Sequence, residues 1–321
     1  RMYLNAQTWI NENKYQEAYA YAVKVIADGH YPLASDYREI FLADNNTCKE
    51  IIWPLVQDGL RAQSSAGTNF YVKAFVNGPM DELYKTGVGS RGWGNVRAKV
   101  SLVDAFDADD VMFDGNDTWG NNKKDKRAQF MTALPNQVKD TWDVNMDMTS
   151  TFTCGYGYIK WRNVTKEDEL CPSGDAYTSI DFPLFRTADA YLMAAEAILR
   201  GANGTQSEAL GYVNEVRTRA YMSGKYAKNG VRSDVSGEIT ANELNLDFLL
   251  VERQKELASE LTRRTDLIRF GKYTKGNNWD WKNGVRLGAD VDDKYNLFPI
   301  PESELTNNPT LVQNDGYKVI K

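Results

Sequence analysis

The chain has 321 residues, with 38 basic and 44 acidic side chains, a formal net charge of −6 and 42% hydrophobic residues. That length buries a large core without a metal or disulfide scaffold, and the acidic balance lacks the electrostatic footprint of a nucleic-acid binder. No run of ~18 apolar residues is present to span a bilayer as a helix. A single histidine, His30, disfavours Ser-His-Asp and Cys-His catalysis and offers a zinc site only one imidazole. No metal and no cofactor is expected.

The first section, 1–57, reads as a helix hairpin followed by a strand. Leu4 and Trp9 sit in one helix, and Tyr15, Ala18, Tyr19, Ala22, Val25 and Ile26 recur at helical spacing in the next, with the joint near Asn11-Glu12-Asn13. Gly29 is placed to end that helix and Pro32 to stop it, so His30 is expected to cap the last carbonyls. Glu50-Ile51-Ile52-Trp53-Pro54-Leu55 reads as a strand, with Trp53 in the core. The opening Arg1-Met2-Tyr3-Leu4-Asn5-Ala6 reads as helix interior, so further chain is expected upstream.

The second section, 58–182, is rich in Gly, Asn and Asp, with turn signals at Asn77-Gly78-Pro79, Gly87-Val88-Gly89-Ser90 and Asp114-Gly115-Asn116-Asp117. It holds Trp93, Trp119, Trp142 and Trp161, and a few isolated strands are expected around Gly155–Trp161, with Trp161 in the core. A long irregular region inside a domain is usually functional. The aspartates Asp104, Asp107, Asp109, Asp110, Asp114 and Asp117 do not keep EF-hand spacing, and a solvated acidic loop is expected there. Cys48, Cys154 and Cys171 match no zinc or thioredoxin spacing; pairing of Cys154 with Cys171 and three separate thiols both stay open.

The third section, 183–321, returns to helices. One stripe runs through Ala188, Tyr191, Leu192, Ala195 and Ile198 to Gly201, and a second through Leu210, Val213, Val216 and Ala220 to Gly224. A third helix is expected to open on the capping box Thr240-Ala241-Asn242-Glu243 and to run to Leu261. A shorter one near Asp266–Phe270 ends at Gly271. The fold class is therefore mainly α: tetratricopeptide-like helix pairs with a loop-rich central region that contains a few short strands.

Several ordered motifs in this chain resemble those of SusD/RagB-like proteins. Phe185-Arg186-Thr187-Ala188-Asp189-Ala190 and Ala195-Glu196-Ala197 resemble one family helix, and Asn214-Glu215-Val216-Arg217-Thr218-Arg219-Ala220 another. Glu252-Arg253, Glu256-Leu257, Glu260, Arg264 and Asp266-Leu267-Ile268-Arg269 resemble its glutamate–arginine signature. Leu297-Phe298-Pro299 and Gln313-Asn314-Asp315-Gly316-Tyr317 are similar to its ending. Tyr3-Leu4-Asn5-Ala6, Tyr31-Pro32-Leu33, Gly92-Trp93-Gly94-Asn95 and Asp125-x-Arg127 extend the likeness upstream. The resemblance implies one SusD-like domain over 1–321 that lacks its N-terminal part. It also implies capture of a glycan at the outer face of a Bacteroidetes outer membrane, without catalysis. The partner implied is a SusC-like TonB-dependent transporter, and membrane association would run through a lipid anchor upstream of this chain.

A sugar ring stacks its C–H face on an aromatic and bonds its hydroxyls to amides and charged groups. Asn69-Phe70-Tyr71 and Arg91-Gly92-Trp93-Gly94-Asn95 supply both, and the resemblance places binding aromatics in this central region. Trp93 and Tyr71 are the leading ligand-binding candidates, with Phe70, Asn69, Arg91 and Asn95 beside them and Trp119 as a weaker one. Glu252, Glu256 and Glu260, spaced i, i+4, i+8, are expected to form a structural charge network with Arg186, Arg253, Arg264, Asp266 and Arg269. A glycoside hydrolase on a helical scaffold, a peptide-binding family member and a helical-repeat protein scaffold are the alternatives.

Overall fold

The computed structural model describes residues 1–76, 84–111, 117, 119–131, 156–222 and 236–318. Helices α1 (Met2–Ile10) and α2 (Tyr15–Asp28) form the expected hairpin, turning at Asn11 in the left-handed region (φ 54°). Gly29 ends α2 at φ 71°, where a side chain would be strained. His30 does not cap the helix carbonyls; its Nδ1 lies 2.5 Å from Asp28 Oδ1 at the exposed surface. Strand β1 (Ile51–Leu55) follows.

The central region contributes α3 (Thr68–Ala74), α4 (Val100–Val103), α5 (Ala108–Val111) and the two-residue strands β2 (Phe130–Met131) and β3 (Gly157–Tyr158). β2 and β3 pair antiparallel, Phe130 opposite Tyr158. The expected turns at 77–79 and 114–116, Trp142, Cys154 and Gly224 lie outside the described residues. Cys171 is a buried free thiol in contact with Ser173 Oγ at 2.9 Å. Asp110 is not solvated: it is buried at 2% exposure and its carboxylate accepts the Lys124 and Asp125 N–H groups, while Asp117 accepts those of Asn121 and Asn122.

Strand β4 (Phe182–Arg186) pairs antiparallel with β1, Ile51 opposite Arg186, and so joins the first section to the third. It runs directly into α6 (Thr187–Leu199), which packs on α2, on α7 (Gln206–Met222) and on α8 (Leu246–Leu257). Ala188, Ala190, Ala194, Ala195 and Ala197 of α6 are all buried, and such small side chains let three helices close on it from different sides. The one-face stripe read from the sequence is thus a helix buried nearly all round. α9 (Arg263–Arg269) ends at Gly271 (φ 68°), and α10 (Glu302–Asn307) lies in the tail.

Helix α8 starts later than expected. Thr240 and Glu243 do bond each other, Glu243 Oε2 accepting the Thr240 N–H at 2.8 Å, but they close a turn. Asn245 is the N-cap, accepting the Phe248 N–H at 2.9 Å. The helix stops at Leu257, and Ser259 (φ 62°) and Leu261 (φ 59°) turn the chain sharply into α9. Trp161 lies in the core at 1% exposure, stacked on Phe182 at 5.5 Å, as expected. Trp53 does not: β1 and β4 form a two-stranded sheet whose outer side is uncovered, and Trp53 stands 61% exposed beside Phe185.

Candidate functional site

Helix α3 positions the site. The carbonyls at and just beyond its C-terminal end, left open by the helix, accept from the loop that follows Arg91. Trp93 N–H donates to Lys73 O at 2.9 Å, Gly94 N–H to Val76 O at 2.8 Å, and Asn95 and Val96 N–H to Ala74 O at 3.0 Å. Gly94 (φ 60°) supplies the left-handed turn this docking needs. The Trp93 ring, 42% exposed, is thereby held on the edge of Phe70, 43% exposed, with ring centroids 6.1 Å apart at 61°.

Polar groups accompany this aromatic pair on the same loop and helix. Arg91 and Asn95 are exposed on the same loop, and Arg91 Nε donates to Asp175 Oδ1 at 2.9 Å. Lys73 donates to the Ala176 carbonyl and lies 5.8 Å from the Tyr177 ring; burial, then the nearby Arg91, pulls its ammonium below the ordinary lysine range. Phe70 and Trp93 are thus brought together, with Arg91 and Asn95 exposed on the loop that carries Trp93. Lys73, Asp175 and Tyr177 join them from elements that carry no local signal of this role.

The other candidates are placed differently. Tyr71 is half-buried and stacks on Trp161 at 5.5 Å and Phe182 at 5.7 Å, so it anchors α3 to the core and only its edge meets Phe70. Burial raises its phenol above the ordinary range. Asn69 is buried at 2% exposure with its amide on Ser64 O at 2.7 Å. Trp119 is buried at 5%, packed with Leu42 and Val164 and with the Arg162 guanidinium 4.4 Å over its ring, so the core rather than solvent takes it. Asn69 and Tyr71 differ from Phe70 because adjacent residues on a short helix point to different sides, whereas Trp119 lies in a turn that packs into the core.

The three glutamates of the α8 region do form a buried charge network. Arg186 bonds Glu50, Glu256 and Glu260 at 2.6–2.8 Å. Arg127 chelates Asp125 and reaches Glu252 at 2.6 Å, and Arg217, Arg219 and Lys160 complete the ring of cations around Glu252, Glu50, Glu256 and Glu260. Burial alone would raise the Glu256 carboxyl, but Arg219, Arg186 and Arg127 outweigh it and hold it at about 2. A hydrolytic general acid needs the opposite shift. Arg253, Asp266 and Arg269 form a second network with Asp189 and Glu196. Arg264 belongs to neither: it donates to the Tyr295 and Asn296 carbonyls and covers the Phe298 ring at 4.1 Å. The sequence missed Glu50 and Lys160 as members, although Asp125-x-Arg127, Arg217, Arg219, Asp189 and Glu196 all stood within its motifs.

Comparison with protein families matches residues 49–317 to the SusD family. The starch-binding protein SusD of Bacteroides thetaiotaomicron is 32% identical over 99% of this chain and 59% of its own length. SusD-like protein P25 of Formosa agariphila is 25% identical over 98% of the chain and 57% of its own length. The chain thus spans somewhat over half the length of these relatives. Among solved structures, surface glycan-binding protein A of Bacteroides thetaiotaomicron in complex with laminarihexaose superposes with a TM-score of 0.63 at 20% identity, covering 97% of this chain and 62% of that one. The family match over most of the chain, together with the helical fold, means that this protein belongs to the SusD family.

Proposed function

We propose that the chain binds a glycan, without catalysis, on the surface built from Phe70, Trp93, Arg91 and Asn95 with Asp175 and Tyr177. The observation that carries this reading is the exposed Phe70–Trp93 pair held by backbone hydrogen bonds on the end of α3. Such a platform meets a sugar ring without first ordering itself, which lowers the cost of binding. The relatives named above for starch and for laminarihexaose support oligo- or polysaccharides of glucose as the first ligands to test. Delivery to a SusC-like TonB-dependent transporter at the cell surface, with the membrane reached through a lipid anchor upstream of this chain, belongs to the same reading.

Affinity electrophoresis in gels containing soluble starch, laminarin or xylan tests it. At least one polysaccharide is expected to retard the chain, and Trp93→Ala is expected to remove most of that retardation while leaving the melting temperature nearly unchanged. Equal migration of the two proteins in a gel that retards the wild type would move the site elsewhere. Hydrolysis of the retained polysaccharide would contradict the non-catalytic reading.

A further inference from the structure

Between α9 and α10, residues 272–290 form a loop held together by its own side chains. Lys282 is buried at 2% exposure, its ammonium donating to the Lys275 and Gly276 carbonyls at 3.1 and 2.9 Å and lying 4.9 Å from the Trp279 ring. Asp290 accepts the Gly276 N–H on its carboxylate at 2.7 Å and the Asn283 amide on its carbonyl at 2.9 Å. Tyr273 tilts against Trp279 at 5.5 Å. Trp281 (φ 62°) and Asn283 (φ 59°) occupy the left-handed region, uncommon for a residue as bulky as tryptophan and a form of strain that gathers at ligand sites. Gly288 (φ 80°) lies against the Trp279 carbonyl, where a Cβ would sit 2.5 Å away.

Two cavities adjoin this loop, one of about 380 Å³ and one of about 340 Å³, and Ser101 and Trp279 line both. The facing wall is tied in place: Asp280 Oδ1 accepts the Val100 N–H at 3.0 Å, and Asp280 Oδ2 lies 3.7 Å from Lys99 Nζ. Asn277 and Arg286 stand exposed at the rim of the smaller cavity. An aromatic ring between two voids, bordered by an amide and a guanidinium, is the chemistry that recognises a sugar ring and its hydroxyls.

We propose that this crevice is a second glycan subsite, in which Trp279 stacks a sugar ring while Asn277 and Arg286 bond its hydroxyls. It rests on the glycan reading of the Phe70–Trp93 surface. The first surface and the wall of the crevice are close along the chain: Trp93 and Lys99 lie at most ~22 Å apart, the length of an oligosaccharide of several rings.

The test is calorimetric titration of the full chain with maltohexaose, laminarihexaose and xylohexaose, beside affinity gels of the parent polysaccharides. Trp279→Ala is expected to weaken the hexasaccharide that the wild type binds roughly tenfold, and Arg286→Ala about threefold. The Arg286 side chain is exposed, so its removal should leave the thermal melt unchanged; if Trp279→Ala fails to fold, Arg286→Ala and Asn277→Ala carry the test. Wild-type affinity in these variants, alongside loss in Trp93→Ala, overturns the crevice and leaves the first surface standing. A wild-type chain that binds none of the probes overturns both.

Discussion

All five N–H donors of Arg186 find acceptors: Nε on Glu260, Nη1 on Glu50 and Glu256, Nη2 on Glu260 and on the Glu256 carbonyl. A guanidinium at 2% exposure is tolerated because no donor is left dry. Arg186→Ala would take from Glu50, Glu256 and Glu260 the one cation that all three share, leaving three buried carboxylates with fewer positive partners, and a loss of about 3–5 kcal/mol in a urea titration is expected. Arg186→Lys should not restore it, because an ammonium cannot reproduce the planar fork. Trp93 and Tyr71 make the opposite contrast at the site. Truncating exposed Trp93 costs ligand rather than stability, whereas Tyr71→Ala removes a half-buried ring from the stacked pair Trp161 and Phe182 and should cost about 2–3 kcal/mol by the same measurement. Both aromatics were legible as residues of interest in one loop-rich stretch. Which of them faces water was not, because that depends on Trp161 and Phe182, about a hundred residues further along the chain.

At the scale of elements, local signals located the longer helices of the first and third sections and placed some of their ends, but not the short helices α3, α4, α5 and α10. Gly29 and Gly271 terminate helices where the sequence put the stops, since the left-handed turn they adopt is a local property. The start of α8 shows where local reasoning fell short. Two capping signals lie five residues apart; Thr240 and Glu243 close a turn, and the packing of Leu249 and Leu250 selects Asn245 as the cap. Asn245→Ala is accordingly expected to destabilise the protein by ~1 kcal/mol in chemical denaturation, and Thr240→Ala by less. The docking of residues 93–96 on the end of α3 carried no sequence signature apart from Gly94, because it is made by backbone groups, which every residue possesses.

Across the whole molecule, the buried ion pairs connect Glu50 just before β1 with β4, α6, α7, α8 and the 125–127 turn, tying all three sections together. Burial would raise Asp125, Asp189 and Glu256, but their arginine partners hold all three below the ordinary carboxylate range, Glu256 at about 2. The unfolded chain, with carboxyls near ~4, therefore binds more protons than the folded one in mildly acid solution. Stability from these groups is complete above about pH 5 and is lost as pH falls toward 2. Thermal melts across pH 6 to 3 should show a steep fall below about pH 4.5; a flat profile would mean that these carboxylates are not held as described. The motifs that carried the family resemblance are largely this network: Arg186, Asp189, Glu196, Arg217, Arg219, Glu252, Arg253, Glu256, Asp266 and Arg269. They report the fold, because each charge is buried and has to be matched, and they say little about the ligand. Composition, helical periodicity and those motifs were enough to determine the class of fold and the family, since both rest on patterns repeated along the chain. Only the tertiary structure decided that Trp53 faces water, that Trp119 does not, and that Asp175 meets Arg91 while Tyr177 meets Lys73 beside the helix that carries Phe70. Those outcomes depend on which distant segments pack against each ring, and a loop records no such partner in its own residues.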